Sequence, residues 1–334
     1  MKAYLIFALK RLAQLLAVIF AGISAAFFIA KLSPISAVEM IIGRVAGQSS
    51  YSPEAIESLR TTLTELFGLD VPLQQQFVNF WARFVVGDLG PSLIAFPTPA
   101  MQLVMLALPW TLGLMLAQIL IAWLVGNVLG GLAGYYQNSR LLKLFGVVAI
   151  GIQPIPYYIV AFLMVIVFGF VWPILPISGG FAMTVRPGWT PEFVGSVLLH
   201  SILPIVSLVL AGIGTWFFGM RALVSNIVTE DYVTYAELAG VPRGRIVSSY
   251  VIRNAMIPQL SALAMTLGSI FSGTIITEQV FSYPGLGMLL IRAVNGGDST
   301  LVLAISCMAI IVVAVAIFVV DLLHPLMDRR VRAE

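Results

Sequence analysis

His200, His324 and Cys307 are the residues from which a nucleophile, a proton relay or a thiolate metal site would have to be built, and their spacing builds none of these. The hydrophobic pattern assigns the two histidines to opposite sides of a membrane. Cys307 lies in an apolar run with no second cysteine, which excludes an intrachain disulfide and leaves no thiolate cluster for a metal. A phosphate-binding loop needs Gly-Lys followed by Ser or Thr. Lys2, Lys10, Lys31 and Lys143 are the only lysines and none has that context, so the chain offers ATP no such loop. A membrane-embedded protease or transferase needs polar catalytic groups converging on one cavity, and no nucleophile is paired with a base along the sequence. What remains is contact chemistry. Its ionic and hydrogen-bonding groups are gathered in Glu230–Gln259, the longest charged interruption of the second half of the chain.

That stretch reads as helix, glycine, helix. Glu230 and Asp231 suit a helix N-terminus, where free backbone N–H groups favour negative charge. Tyr232 to Ala239 contains neither Gly nor Pro. Gly240 then falls where a left-handed residue closes a helix, and Pro242 prevents continuation. A second helix is predicted over Arg243–Asn254, carrying Arg243, Arg245 and Arg253. Two readings follow: a short helical connection between membrane spans, or a docking element laid against a cytosolic partner.

The elements that must carry this loop are apolar. The chain is 60% hydrophobic and 10% charged, with a mean hydropathy of +1.01, whereas soluble domains run near 45–50% apolar and about 25% charged. This is the composition of an integral membrane protein in a lipid bilayer, and the length of its apolar runs leads to the expectation of an all-α one. Its net charge of +3 is small and dispersed and does not point to nucleic acid. Six stretches of the roughly 20 residues needed to span the hydrocarbon core are present. They are Leu12–Ala30, Met101–Val128, Leu144–Trp172, Phe193–Met220, Ala255–Val280 and Leu301–Leu323. The first follows Lys10 and Arg11 as a secretory signal would, but is too long for a cleaved one and reads as a retained anchor. With both termini cytoplasmic, twelve Lys and Arg fall inside and six outside, as the positive-inside rule requires.

This orientation puts residues 31–100 outside and the 221–254 loop in the cytoplasm. In the outer segment Ser52 should cap a helix beginning at Pro53, with Glu54 and Glu57 near its start. Gly68 and Gly87 to Ser92 mark turns. Gln75, Gln76, Phe77, Phe80, Trp81 and Phe84 read as an interfacial helix with its aromatics at headgroup level.

DYVTYAELAGVPRGRIVSSYVIRNAMIP resembles the cytoplasmic loop of ABC-importer permeases of the dipeptide/oligopeptide/nickel family, through Asp231, Tyr232, Ala236, Gly240, Arg253, Asn254, Ala255 and Pro258. The resemblance extends to Gly68-Leu69-Asp70 with Pro72-Leu73, Gly87-Asp88-Leu89-Gly90 with Ser92, Pro109-Trp110-Thr111-Leu112, Gln153-Pro154-Ile155-Pro156, Leu203-Pro204, Glu278 to Gly287, and the tail from Asp321 to Arg332. Four departures stand out. Glu237 and Ala239 occupy positions where the family usually carries basic residues, Ser33-Pro34-Ile35-Ser36 replaces Pro-Gly-Asp-Pro, and Arg329 replaces a proline. The resemblance implies one permease domain over residues 1–334 with the fold of type I ABC importer permeases. It implies a homologous second permease, two cytosolic ATPases that carry ATP and Mg, and an extracytoplasmic solute-binding protein. The residues it points to for coupling are Asp231, Tyr232, Ala236, Glu237, Gly240, Arg243, Arg245 and Arg253. The implied substrate is a peptide, with an oligosaccharide or a nickel complex as alternatives, in a bacterial or archaeal cytoplasmic membrane.

Pathway candidates come from the spans. Proline within a span frees a carbonyl that protein or water must satisfy, so Pro154 and Pro156 either line a cavity or kink a helix for packing. Gly126, Gly130 and Gly134 permit close helix contact, within the subunit or at a subunit interface. Glu278, with Phe281 and Tyr283 beyond it, either shapes an outer gate or caps a helix toward water. His200 is expected to bond a neighbouring helix. An ion-coupled carrier would place ionisable groups deep in its spans; the interiors of the first, second, third and sixth hold no Asp, Glu, Lys or Arg.

Overall fold

The structure, a computed structural model, describes residues 2–32, 42–43, 52–66, 70–268 and 274–327. Among these its regular elements are all helices: α1 (Lys2–Leu32), α2 (Pro53–Leu66), α3 (Leu73–Val85), α4 (Ala100–Tyr135), α5 (Arg140–Ile152), α6 (Tyr157–Val165), α7 (Pro191–Ile227), α8 (Asp231–Leu238), α9 (Arg253–Gly268), α10 (Ile275–Val280), α11 (Leu286–Gly296) and α12 (Ser299–Met327). Residues 33–36, 68–69 and 329–332, on which parts of the sequence reading rest, lie outside the described residues.

Four of the described helices, α1, α4, α7 and α12, are long and apolar enough to cross a membrane. A fifth crossing results if α5 and the helix Tyr157–Val171, bent by 104° from it, are taken as one. The two prolines, read as breaking or bending the third stretch, stand at this bend. Ile155 N–H donates to the Ile152 carbonyl at 2.9 Å, and Pro156, extended at ψ 135°, starts α6 anew. The predicted Ala255–Val280 span is found as α9 and α10, with residues 269–273 between them outside the described set. The separate second helix expected at Arg243–Asn254 is also different. Arg243–Arg245, a π-helical stretch Ile246–Ile252 and α9 follow one another without a break, so the loop's second half runs directly into the membrane helix.

The chain forms two compact units. In the unit of Leu12–Trp110 and Gly285–Ala314, Ser52 caps α2 as expected, its hydroxyl accepting from Ala55 N–H at 3.3 Å. The aromatic face of α3 packs on α1: Trp81 stacks on Phe20 at 5.0 Å, Phe77 on Phe28 at 5.3 Å, and Phe80 lies 4.9 Å from Phe27. These rings thus fasten α3 to the first long helix. Asp88 closes the following turn, taking both Arg83 Nε and Nη2 on one oxygen and the Gly90 N–H on the other. Gly87 and Gly90 have φ of 77° and 96°, which only glycine adopts without strain.

Asp298, absent from the sequence reading, is the strongest polar fixture of this unit. It is fully buried. One carboxylate oxygen caps α12 through Leu301 N–H at 2.9 Å, while the other accepts from Ser92 Oγ, Leu93 N–H and Ile94 N–H. Asp298→Asn turns an amide NH₂ toward donors, and unpaired buried donors cost about 1–3 kcal/mol each. We expect the purified transporter carrying it to unfold several degrees earlier on heating, with Ser92→Ala showing a smaller shift.

In the unit of Met1–Arg11, Thr111–Pro284 and Val315–Glu334, Gly126, Gly130 and Gly134 lie along α7. A Cβ at these positions would meet Trp216 Cβ at 2.5 Å, the Phe217 carbonyl oxygen, and Val224 Cβ at 2.7 Å. The glycines therefore serve packing within the subunit. At the ends of the chain, Arg11 pairs with Asp321 at 3.2 Å.

Candidate coupling loop and buried polar cluster

The first half of the loop is built as its sequence predicts. Glu230 stands in an extended N-cap conformation, Asp231 opens α8, and Gly240 has φ 73°. Gly240 N–H donates to the Glu237 carbonyl at 3.0 Å and Val241 N–H to the Ala236 carbonyl at 3.1 Å. This paired closure is the Schellman motif, which needs a left-handed residue where Gly240 stands. Pro242, with ψ 134°, then starts the Arg243–Arg245 turn.

One face of α8 is internal. Val233 and Ala236, three residues apart and so on one helix face, join Met220, Val224, Ile246, Val251 and Ala255 in a single apolar core. Ala236, named among the coupling residues, is 6% exposed and fastens the loop to α7. The opposite face presents Tyr235, 71% exposed, and Leu238, 79% exposed, two residues the sequence reading passed over. Their i, i+3 spacing opposite Val233 and Ala236 was the available signal. Tyr232 is held by Asn254, whose amide donates to its hydroxyl at 3.1 Å. Glu237 meets the Tyr135 hydroxyl at the end of α4. Arg243, Arg245 and Arg253 are exposed. The loop thus exposes an apolar knob and three guanidinium groups on a scaffold whose own face is packed.

The other candidates fall into two places. Glu278, Phe281 and Tyr283 come together. Glu278 is fully buried and accepts a hydrogen bond from the Thr111 hydroxyl at 2.7 Å, so it does not cap a helix toward water. Tyr283 shares a hydrogen bond with Ser201 at 2.9 Å, and the Phe281 carbonyl accepts from Gly179 N–H at 2.9 Å. Ser282, with φ 48°, closes α10 by the same paired pattern as Gly240: Ser282 N–H to Gln279, Tyr283 N–H to Glu278. Thr111 entered the sequence reading only within the Pro109–Leu112 motif and Ser201 not at all, because each reaches its partner only through the fold.

Pro154 and Pro156 do not join this cluster. They are exposed at the corner between α5 and α6, where the Gln153 side chain lies against Gly214 of α7. Beyond the corner, α6 packs on both α7 and α10. His200 was expected to bond a neighbouring helix; its Nδ1 lies 2.8 Å from the Ser196 carbonyl of its own helix. No group of three or more metal-ligating side chains occurs among the described residues.

Long apolar helices, a buried polar cluster and a helical loop turned to solvent are the features of a multi-pass membrane protein. The binding-protein-dependent transport system inner membrane component family matches residues 126–333, and the chain belongs to that family. It is similar to the dipeptide transport system permease protein of Lactococcus lactis, 24% identical over 324 residues that cover 97% of this chain and 98% of the relative. It is also similar to the di/tripeptide transport system permease protein of Pseudomonas aeruginosa, 28% identical over 340 residues and 98% of each chain. The oligopeptide transport system permease protein of Haemophilus influenzae is 25% identical over 329 residues, 98% of this chain and 99% of its own. The chain is therefore a multi-pass permease subunit of the cytoplasmic membrane, and its role is transport rather than catalysis.

Proposed function

We propose that this chain forms half of the translocation pathway of an ATP-driven peptide importer, and that α8 with Arg243–Arg253 receives the motion of a cytosolic ATPase. The observation that carries this reading is the two-faced α8: Val233 and Ala236 lock it to the membrane helices while Tyr235 and Leu238 stand out. An exposed apolar knob costs solubility unless a partner covers it. The peptide assignment is supported by the relatives, whose names specify dipeptides, di/tripeptides and oligopeptides.

In this reading the chain has six spans, with α9 and α10 completing the fifth and the α5–α6 corner lying in the third. Both termini are cytoplasmic and residues 31–100 form an outer insertion. A second, homologous permease completes the pathway, a solute-binding protein delivers the peptide from outside, and two ATPase subunits bind ATP and Mg. ATP-driven closure of the ATPases moves the loop. Because the π-helical stretch and α9 are continuous with it, that movement reaches the membrane helices, and the Glu278–Thr111 and Tyr283–Ser201 pairs form the outer gate. Free energy enters only through contacts that differ between inward- and outward-facing states.

A thiol-labelling scan tests both orientation and docking. In a Cys307→Ser background, Ser58→Cys should react with an impermeant reagent from outside and Ser248→Cys only once the membrane is breached. Tyr235→Cys should react in vesicles stripped of the ATPase subunits and be shielded when they are restored. Inverted labelling of Ser58→Cys and Ser248→Cys would overturn the orientation; unshielded Tyr235→Cys would overturn the docking role.

A further inference from the structure

We propose that a cavity at the α4–α5 turn holds the headgroup of an anionic phospholipid, with Arg140 and Lys143 as its cations. The cavity measures about 600 Å³ and is lined by Tyr135, Tyr136, Asn138, Ser139 and Leu142, among others. Two tyrosines in edge-to-face contact at 4.9 Å make one wall, and short polar side chains make the rim. Arg140 and Lys143 stand beside the lining residues Ser139 and Leu142 in the first turn of α5. Both are exposed, and neither is ion-paired among the described residues.

The rest of α5 points to lipid rather than to a free anion. Gly146 and Ala149 are its buried face, and the outward face carries Leu141, Leu144, Val147, Val148 and Ile150, all exposed. Acyl chains along that face would bring a headgroup to the first turn, where the two cations and the Ser139 hydroxyl wait. Tyrosine at the level where a span ends suits the interfacial zone, and basic clusters just beyond a span attract anionic lipid. A soluble phosphate would gain the same charges but nothing from the apolar face. The inference rests on the membrane placement proposed above. It also puts a lipid next to the coupling loop, because Tyr135, a wall of the cavity, meets Glu237.

The test uses the complete transporter in phosphatidylcholine nanodiscs containing a minority of phosphatidylglycerol. Lipid that stays bound after detergent extraction is counted by native mass spectrometry. The wild type should retain phosphatidylglycerol in preference to phosphatidylcholine. The double variant Arg140→Gln/Lys143→Gln should lose that preference at least fivefold, and Tyr136→Ala should weaken it with no change of charge. Arg186→Gln, which removes a cation elsewhere, should leave it intact. Thermal stability without phosphatidylglycerol confirms that the variants fold. The proposal is overturned by equal retention in wild type and double variant, by loss of the lipid to millimolar inorganic phosphate alone, or by its displacement when ATPase subunits bind. Failure of the membrane placement would appear separately, in the labelling of Ser58→Cys and Ser248→Cys.

Discussion

Gly130→Leu is expected to remove most of the folded permease from the membrane, and Gly113→Leu in the same helix to be tolerated. A Cβ at Gly130 would fall against the backbone oxygen of Phe217, with Met220 Cβ only 3.1 Å away. Backbone cannot rotate aside as a side-chain end can, so α4 and α7 must separate. Overpacking of this kind costs about 1–3 kcal/mol, and more where backbone must move. Separation would also uncover the core of Ala122, Val209, Ile213 and Trp216 beneath the crossing. Gly113 meets nothing within 4 Å, so leucine there projects into open space. The check is the yield of monodisperse complex after detergent extraction. Equal yields for the two variants would show that the glycine stripe does not hold this crossing.

Gly134 shows how far such a crossing is legible beforehand. From sequence its spacing with Gly126 and Gly130 suggests close contact, but not how close. With Val224 Cβ at 2.7 Å and the Arg221 carbonyl at 2.8 Å from its would-be side chain, even alanine is costly there. The partner residues lie some 90 positions away, beyond any local pattern. The same distance hid Asp298, whose donors at Ser92–Ile94 are more than 200 residues upstream, and the pairing of Glu278 with Thr111.

What sequence did carry was local. Gly240 before Val-Pro, acids at the start of α8 and Ser52 before Pro53 each specify a helix end through nearby backbone chemistry, and each is found as read. The Pro154–Pro156 corner lies between these cases. The break was legible, but its 104° angle was set by how α5 and α6 each pack on α7. The side of the loop on which Ala236 lies was not legible, because a small residue in a charged loop gives no sign of which face it occupies until Val224 and Ile246 close over it.

Gly240→Val is expected to uncouple the transporter without unfolding it. No atom lies within 4 Å of a Cβ at this position, so valine meets no steric obstacle. The backbone is the obstacle. At φ 73° a residue with a Cβ is strained by about 1–2 kcal/mol, and more for a branched one. The least costly escape is to abandon the Gly240–Glu237 and Val241–Ala236 hydrogen bonds, which frees the end of α8 and re-aims Arg243 and Arg245. That strain shifts the loop toward misdirected conformations by about tenfold. Gly240→Asn separates this cause from any other, since asparagine visits the left-handed region and has room here.

The direct measurement is peptide-stimulated ATP hydrolysis by the assembled transporter, with its binding protein, in liposomes. The account predicts that Gly240→Val assembles yet loses most of the stimulation, about tenfold, while Gly240→Asn stays close to wild type. Wild-type stimulation in Gly240→Val would contradict it, and the Asp231–Arg253 segment would then be an ordinary connection between helices.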